Sequence, residues 1–205
     1  MSSYSIRDQK KDHLLTPENA ALLIIDFQPA QVYSINSMSR TQLIANIVIV
    51  VELARSYKMP VVLSTVNVKT GINKETVSPL LNVLQGVPSF DRTTINAWED
   101  KEFNEAVKNT GRKKLIITAL WTEVCLAFPA LDAIRDGYEV YAVVDAVGGT
   151  SIIAHDTALR RIEQAGAKLI SIAQLTCELQ RDWNRHETAP YMVKALTDVG
   201  AFLHL

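Results

Sequence analysis

Cysteine is scarce in this chain: there are two in 205 residues, Cys125 and Cys177, and they form no CxxC pair. That excludes a cysteine zinc site and gives no basis for a structural disulfide framework. Neither sign of charge dominates, with 21 Lys and Arg against 22 Asp and Glu. Without a basic excess or stripe, nucleic acid is not expected as a partner. The doublets Lys10–Lys11, Lys113–Lys114 and Arg160–Arg161 are too short to read as more than solvated positions. Long apolar runs are missing too. The best, Leu43 to Ala54, is broken by Asn46 and Glu52 and is too short to span a bilayer. The stretch from Met1 to Ala20 has no apolar centre and no small-residue cleavage site, so it does not read as a secretory signal. These features predict a cytoplasmic protein without a membrane partner, whose cysteine chemistry, if any, is that of a thiol.

Several catalytic signatures are also absent: GxGxxG after the first apolar run, GxxxxGK[ST], GxSxG and HExxH. No internal repeat, low-complexity stretch or linker divides the chain. With 48% hydrophobic residues, it can build a full single core, burying roughly 70% of its unfolded surface at this length. The expected division is a tail over residues 1–14, one domain over 15–190 and a C-terminal extension over 191–205.

What is present is an alternation of short apolar runs and amphipathic segments. Ala21–Ile25, Pro60–Ser64, Lys114–Ala119, Tyr138–Val144 and Lys168–Ile172 are rich in Val, Ile or Leu without polar alternation, as parallel strands covered on both faces are. A weaker strand is predicted at Val87–Phe90. Between them, helices are predicted over Thr41–Tyr57, Glu99–Thr110, Glu123–Asp136, Thr150–Ala165 and Ala173–Arg185. Gly111, Gly137 and Gly166 stand just past three of these, the usual place for glycine after a helix. The run Ile47–Val51 suits a strand by propensity, but adjacent parallel strands need a crossover of about a dozen residues or more between them. The fold class is therefore α/β, one domain with a mostly parallel sheet.

In such sheets, ligands bind beyond the carboxyl ends of the strands. The polar residues expected there are Asp26, then Asp91 and Arg92, then the segment Leu120-Trp121-Thr122-Glu123-Val124-Cys125. Thr122 is a plausible N-cap, which puts Cys125 in the first helical turn, where free amides and the helix dipole favour a thiolate. Asp26 can accept the thiol proton, and Arg92 can hold developing charge. Each residue also has a plainer role: Cys125 as a small buried hydrophobe, Asp26 as a turn cap, and Arg92 as a surface partner of Asp91. His155 falls inside a predicted helix and reads as a packing residue. His13, His186 and His204 lie in polar stretches, so no Cys–His pair is legible. Gly148-Gly149 reads as a tight turn, and Cys177 as structural.

The segments Ile24-Ile25-Asp26-Phe27-Gln28 and Ile116–Cys125 resemble the two signatures of the isochorismatase-like cysteine hydrolases. Ile95-Asn96-Ala97-Trp98-Glu99 and Cys177–Trp183 look like the YcaC-like branch, and the likeness covers roughly residues 15 to 190. It implies a three-layer α/β/α domain with a six-stranded sheet in the order 3-2-1-4-5-6. The family's catalytic Asp falls on Asp26, its Cys on Cys125, and its Lys on Arg92 when aligned through Ala97 and Trp98. Arginine keeps the charge but cannot give up a proton; Lys69 and Lys74 are outside candidates to supply an amine. The family's non-proline cis peptide falls on Leu120–Trp121, with the amides of Trp121 and Cys125 as oxyanion hole. Phe27, Trp98, Trp121 and Phe128 are the implied substrate-pocket walls.

Within that family, the region Thr65–Thr70 lacks the Asp-x-His of nicotinamidases, so no metal and no cofactor are expected. The retained cysteine points to a small-molecule amide or related C–N bond rather than to vinyl-ether hydrolysis. The resemblance also implies a homo-oligomer, an octamer in the YcaC-like branch. Two alternatives stand beside the hydrolase: a non-catalytic oligomeric binding or scaffold protein with a weakened triad, and a thiol redox protein acting through Cys125.

Overall fold

The structure, a computed structural model, describes residues 7–202. Six parallel strands form one sheet: β1 (Ala20–Ile25), β2 (Val61–Val66), β3 (Ser89–Arg92), β4 (Lys114–Ala119), β5 (Glu139–Val143) and β6 (Lys168–Ile170). Their spatial order is β3-β2-β1-β4-β5-β6, as the resemblance implies. The helices are α1 (Pro29–Tyr33), α2 (Arg40–Ser56), α3 (Ser78–Val83), α4 (Lys101–Asn109), α5 (Ala127–Arg135), α6 (Ile152–Gln164), α7 (Ile172–Gln180) and α8 (Ala189–Asp198). No helix among the described residues is long and apolar enough to cross a membrane.

The two-residue period of the strands sorts their side chains between two cores. Leu22, Ile24, Ile116 and Val143 face α1, α2, α3, α7 and α8, while Leu23, Ile25, Ile117 and Ala142 face α4, α5 and α6. In α2, the apolar stripe of Leu43, Ile47, Val50, Val51 and Ala54 is buried as its spacing predicts. Tertiary demand thus overrides the strand propensity of Ile47–Val51. Side chains cap four helices: Ser39 for α2, Asp100 for α4, Ser151 for α6 and Ser171 for α7.

Several predicted boundaries shift. The third strand runs over Ser89–Arg92, not Val87–Phe90, so Arg92 ends the strand instead of following it. Pro88 has no N–H for a ladder, so pairing starts after it. The predicted helix from Glu99 divides into a 3-10 turn, Ala97–Glu99, and α4, because the Asp100 side chain caps Phe103 N. The last predicted helix stops at Gln180, where Arg181 takes a positive φ of 60°. Gly148 and Gly149 are required by close packing and not by the turn. A Cβ on Gly148 would stand 2.9 Å from Ile35 Cγ2, and one on Gly149 would stand 2.7 Å from Glu123 Oε2.

Both ends of the domain are fastened. Lys114, first in β4, donates from Nζ to the carbonyls of Asp12, His13 and Leu14 at 2.8, 2.6 and 3.1 Å. In the C-terminal extension, α8 buries Met192, Ala195 and Leu196.

Candidate active site

The strand order reverses between β1 and β4, and in open parallel sheets ligands bind beyond the carboxyl ends of the strands at such a point. The two strands pair as far as Ile25 with Ala119, so Asp26 and Leu120 leave the sheet side by side. Asp26 turns at once: its φ is 62°, a left-handed conformation that Asp and Asn tolerate better than most residues. Its amide donates to Ser64 O at 3.0 Å, and Gln28 N donates back to Asp26 O at 2.8 Å. Gln28 fixes the neighbouring loop, donating to Val66 O and Lys74 O and accepting from Val66 N.

Arg92 reaches the same carboxylate from β3. Nη1 donates to Asp26 Oδ1 and Nη2 to Asp26 Oδ2, both at 2.7 Å. The pair is enclosed, with side-chain exposures of 0% on both sides. Burial alone would lower the guanidinium pKa, but the hydrogen bonds and charge of Asp26 outweigh it and hold the value raised. The alternative pairing of Arg92 with Asp91 is not formed. Asp91 instead accepts from the amides of Val68 and Lys69 and from Thr65 Oγ1. Lys69 and Lys74 are exposed on the loop after β2, and the Asp26 carboxylate is already taken up by Arg92.

Cys125 completes the group from the other side of the switch point. It is buried, with 8% of its surface exposed, within reach of the charges of both Asp26 and Arg92. Burial pushes the thiol pKa up, and the charge and hydrogen bond of Asp26 push the same way. Arg92 and a hydrogen bond from the Trp121 amide oppose them without prevailing. This runs against the expectation of a thiol pKa lowered at a helix N-terminus: the surroundings of Cys125 favour the neutral thiol. The local geometry differs as well. Thr122–Leu126 is a π-helical turn whose N-cap is Trp121, without a side-chain cap. Thr122 does not cap; its Oγ1 shares a 2.8 Å hydrogen bond with Nδ1 of His155. Burial lowers the imidazole pKa below its ordinary value, so His155 is neutral near pH 7. Glu123 ties the same turn to the loop before α6 by accepting from Thr150 N and Thr150 Oγ1.

The peptide Leu120–Trp121 is cis, where the resemblance puts it. The implied pocket walls divide. Trp121 is half-buried, and its Nε1 donates to Ser34 Oγ at 2.5 Å. Phe128 is half-buried and lies three residues after Cys125, in the first turn of α5. The other two are buried in the cores, Trp98 in the same one as Cys125. Phe27 is fully enclosed in the core beneath α2, so its ring offers a ligand no surface. Trp98 donates from Nε1 to Asp136 at the far end of α5 and packs edge-on against Tyr138. Asp136 is the C-cap of α5, whereas Cys125 lies in the turn before its first residue. Cys177, read as structural, is exposed on α7. Ser64, which the sequence passes over as an ordinary strand residue, touches both Asp26 and Arg92.

A family match decides the assignment: the isochorismatase domain matches residues 20–174. This chain belongs to the isochorismatase family. It is 38% identical over 170 residues to the probable hydrolase YcaC of Escherichia coli K12, covering 82% of this chain and 81% of that protein. The crystal structure of the E. coli YcaC gene product, described as an octameric hydrolase of unknown specificity, superimposes with a TM-score of 0.85 at 34% identity over 92% of each chain. YcaC from Pseudomonas aeruginosa, solved with hexane-2,5-diol and covalent acrylamide, gives a TM-score of 0.82 at 31% identity, covering 97% of this chain and all of that one. The isochorismatase-like member is thus of the YcaC-like kind, in a family of hydrolases.

Proposed function

We propose that this protein is a cysteine hydrolase that cleaves a small-molecule amide or related C–N bond, with Cys125 as nucleophile and Asp26 as general base. The observation that carries the reading is the convergence of Cys125 and the Arg92-clamped Asp26 at the switch point, with the Trp121 amide aimed at the sulfur. In the first half-reaction, Asp26 takes the thiol proton as Sγ attacks the carbonyl carbon. The amides of Trp121 and Cys125 hold the oxyanion. The C–N bond then breaks, Asp26 returns the proton to the leaving nitrogen, and a thioester remains. In the second, Asp26 takes a proton from water, the hydroxide adds to the thioester carbonyl and displaces the thiolate, Asp26 returns the proton to Sγ, and the acid leaves. Arg92 keeps its proton throughout and steadies the carboxylate by charge. A thiol that starts neutral suits this sequence, because its proton moves only when substrate is in place.

Trp121 and Phe128 are the remaining candidates for a partly apolar pocket wall, and a relative that takes covalent acrylamide supports a small amide-like ligand. The loop after β2 offers no His-carboxylate pair, which supports a mechanism without a metal. A homo-oligomer belongs to the same reading, on the strength of the octameric relative. Large apolar side chains stand exposed on the loops at the carboxyl edge of the sheet, with Ile72 at 79% and Ile95 at 68%. Light scattering after size exclusion tests this point, and a monomer at micromolar concentration would refute it. The closed Asp26–Arg92 pair favours a second reading, an oligomeric binding or scaffold protein without turnover.

One experiment separates the two. Ammonia and amine release from a panel of small aliphatic and aromatic amides is measured for the wild type, Cys125→Ser and Asp26→Ala, with circular dichroism as a check on folding. The hydrolase reading expects turnover of at least one amide by the wild type and none by either variant. Activity that survives Cys125→Ser would overturn the cysteine mechanism.

A further inference from the structure

The receptor around Arg92 has a shape of its own. The guanidinium meets five oxygen acceptors: both carboxylate oxygens of Asp26, Ser64 Oγ at 2.9 Å, Thr65 O at 3.1 Å and Ile95 O at 3.2 Å. Nη1 shares its two hydrogens among three of them, Nη2 meets two, and the buried Nε has no acceptor. Such a fork matches a planar, two-armed cation, whereas an ammonium presents its three donors from a single point. The role of Ser64 is fixed by its own proton. Its hydroxyl donates to Phe90 O at 2.9 Å, so towards Arg92 it can act only as acceptor. The same residue accepts the Asp26 amide through its carbonyl. Ser64 therefore grips both members of the pair, one through its backbone and one through its side chain, and it is fully buried.

We propose that Ser64 is a positioning residue that holds Arg92 in two-armed register with Asp26, and that the site is built for a guanidinium in place of an ammonium. The cation is then a permanent charge that exchanges no proton at any step. Lysine at position 92 would not reproduce it: a single nitrogen cannot meet both Asp26 oxygens and the Ser64, Thr65 and Ile95 acceptors together. This inference rests on the hydrolase reading above, in which Asp26, Arg92 and Cys125 act as a unit.

The test needs no known substrate. Alkylation of Cys125 by iodoacetamide is followed by intact mass from pH 6 to pH 10, with Cys177→Ala as background in every form. Four forms are compared: the parent, Ser64→Ala, Arg92→Lys and the double variant. Arg92 lowers the Cys125 pKa, so a slackened Arg92 raises it. Ser64→Ala is expected to slow alkylation near pH 8 by about threefold to tenfold, less than the full strength of one hydrogen bond to a charged group because the effect on Cys125 is transmitted through Arg92. Its pH profile moves to higher pH, which a loss of fold stability alone would not produce. Arg92→Lys slows the reaction by at least about tenfold, as expected where a two-armed contact is lost. In the Arg92→Lys background, Ser64→Ala adds less than about twofold, the signature of coupled residues. Additive effects, an unmoved pH profile in Ser64→Ala, or alkylation by Arg92→Lys as fast as the parent would each overturn the inference and leave the hydrolase reading standing. A parent Cys125 that takes no label at any pH would overturn both.

Discussion

Replacing Asp26 by Asn should make Cys125 more reactive towards an alkylating agent while abolishing hydrolysis. The thiol is held neutral by burial first and then by the Asp26 charge and hydrogen bond, against the pull of Arg92. Asn is nearly isosteric, tolerates the left-handed backbone that position 26 needs, and removes the negative charge. A like charge at contact range shifts a pKa by about 1–3 units, so the thiolate fraction rises by about tenfold to a thousandfold. Part of that gain is cancelled, because nucleophilicity falls with basicity at a Brønsted slope of about 0.4–0.5. The net rise in alkylation rate is therefore about threefold to thirtyfold. The direction also follows from Arg92, which keeps its charge in the variant and no longer spends it on a carboxylate. The assay is the iodoacetamide rate at pH 8 by intact mass on a Cys177→Ala background, with thermal denaturation to show a folded variant. A folded Asp26→Asn protein alkylated no faster than its parent would refute the argument, since the thiol would then not feel Asp26. General-base loss by itself predicts only slower hydrolysis, so the two readouts moving in opposite directions identify the charge as the cause.

Two further perturbations address the frame around the site. Gly149→Ala puts a Cβ 2.7 Å from Glu123 Oε2 and 2.9 Å from His155 Cβ, so urea denaturation should show a loss of about 1–3 kcal/mol; an unchanged midpoint would mean that the turn carrying Cys125 yields freely. Asp91 is held below the usual carboxylate range: burial raises its pKa, but the amides of Lys69 and Val68 outweigh burial. A depressed carboxylate contributes stability above its unfolded value of about 3.9 that is lost as pH falls through the lower folded value. Asp91→Asn should therefore remove part of the acid limb of the stability profile below about pH 4, measured by thermal melts from pH 2 to 7, and an identical limb in the variant would contradict this.

The architecture was legible because five strands announce themselves as unbroken Val, Ile and Leu runs and because glycines mark the ends of α4, α5 and α6. The edge strand β3 was misplaced by two residues, since Ser89–Arg92 has little apolar signal and owes its register to pairing with β2. Asp26, Arg92 and Cys125 could be picked as strand-end residues, and the structure brings all three together. Their electrostatics could not be read from the chain. The position of Cys125 after a strand suggested a lowered pKa, whereas burial and the facing carboxylate raise it. Local sequence signals a helix start but not what stands across from it. The aromatic residues illustrate the same limit. Phe27 adjoins Asp26 in sequence yet joins the core of Leu22 and Ile24 and not that of Leu23 and Ile25, because the left-handed turn at Asp26 breaks the alternation of β1. Trp98 follows a family motif but is drawn off by Asp136. Ser64 had no signal at all, because its importance lies in two bonds made across the sheet.

The grip of Lys114 on the carbonyls of Asp12, His13 and Leu14 has a practical side. It pins the N-terminal segment under the amino end of β4, whereas Cys125 lies beyond the carboxyl end of the same strand. Six strand residues separate the two, a span of roughly 20 Å at about 3.3 Å per residue. A fluorophore or linker attached at the exposed His13 is thereby held at the opposite end of the strand from Cys125. Attachment there keeps the tether away from the end of the sheet that carries Asp26, Arg92 and Cys125, which suits this protein to immobilised assays in which many small compounds are passed over one surface.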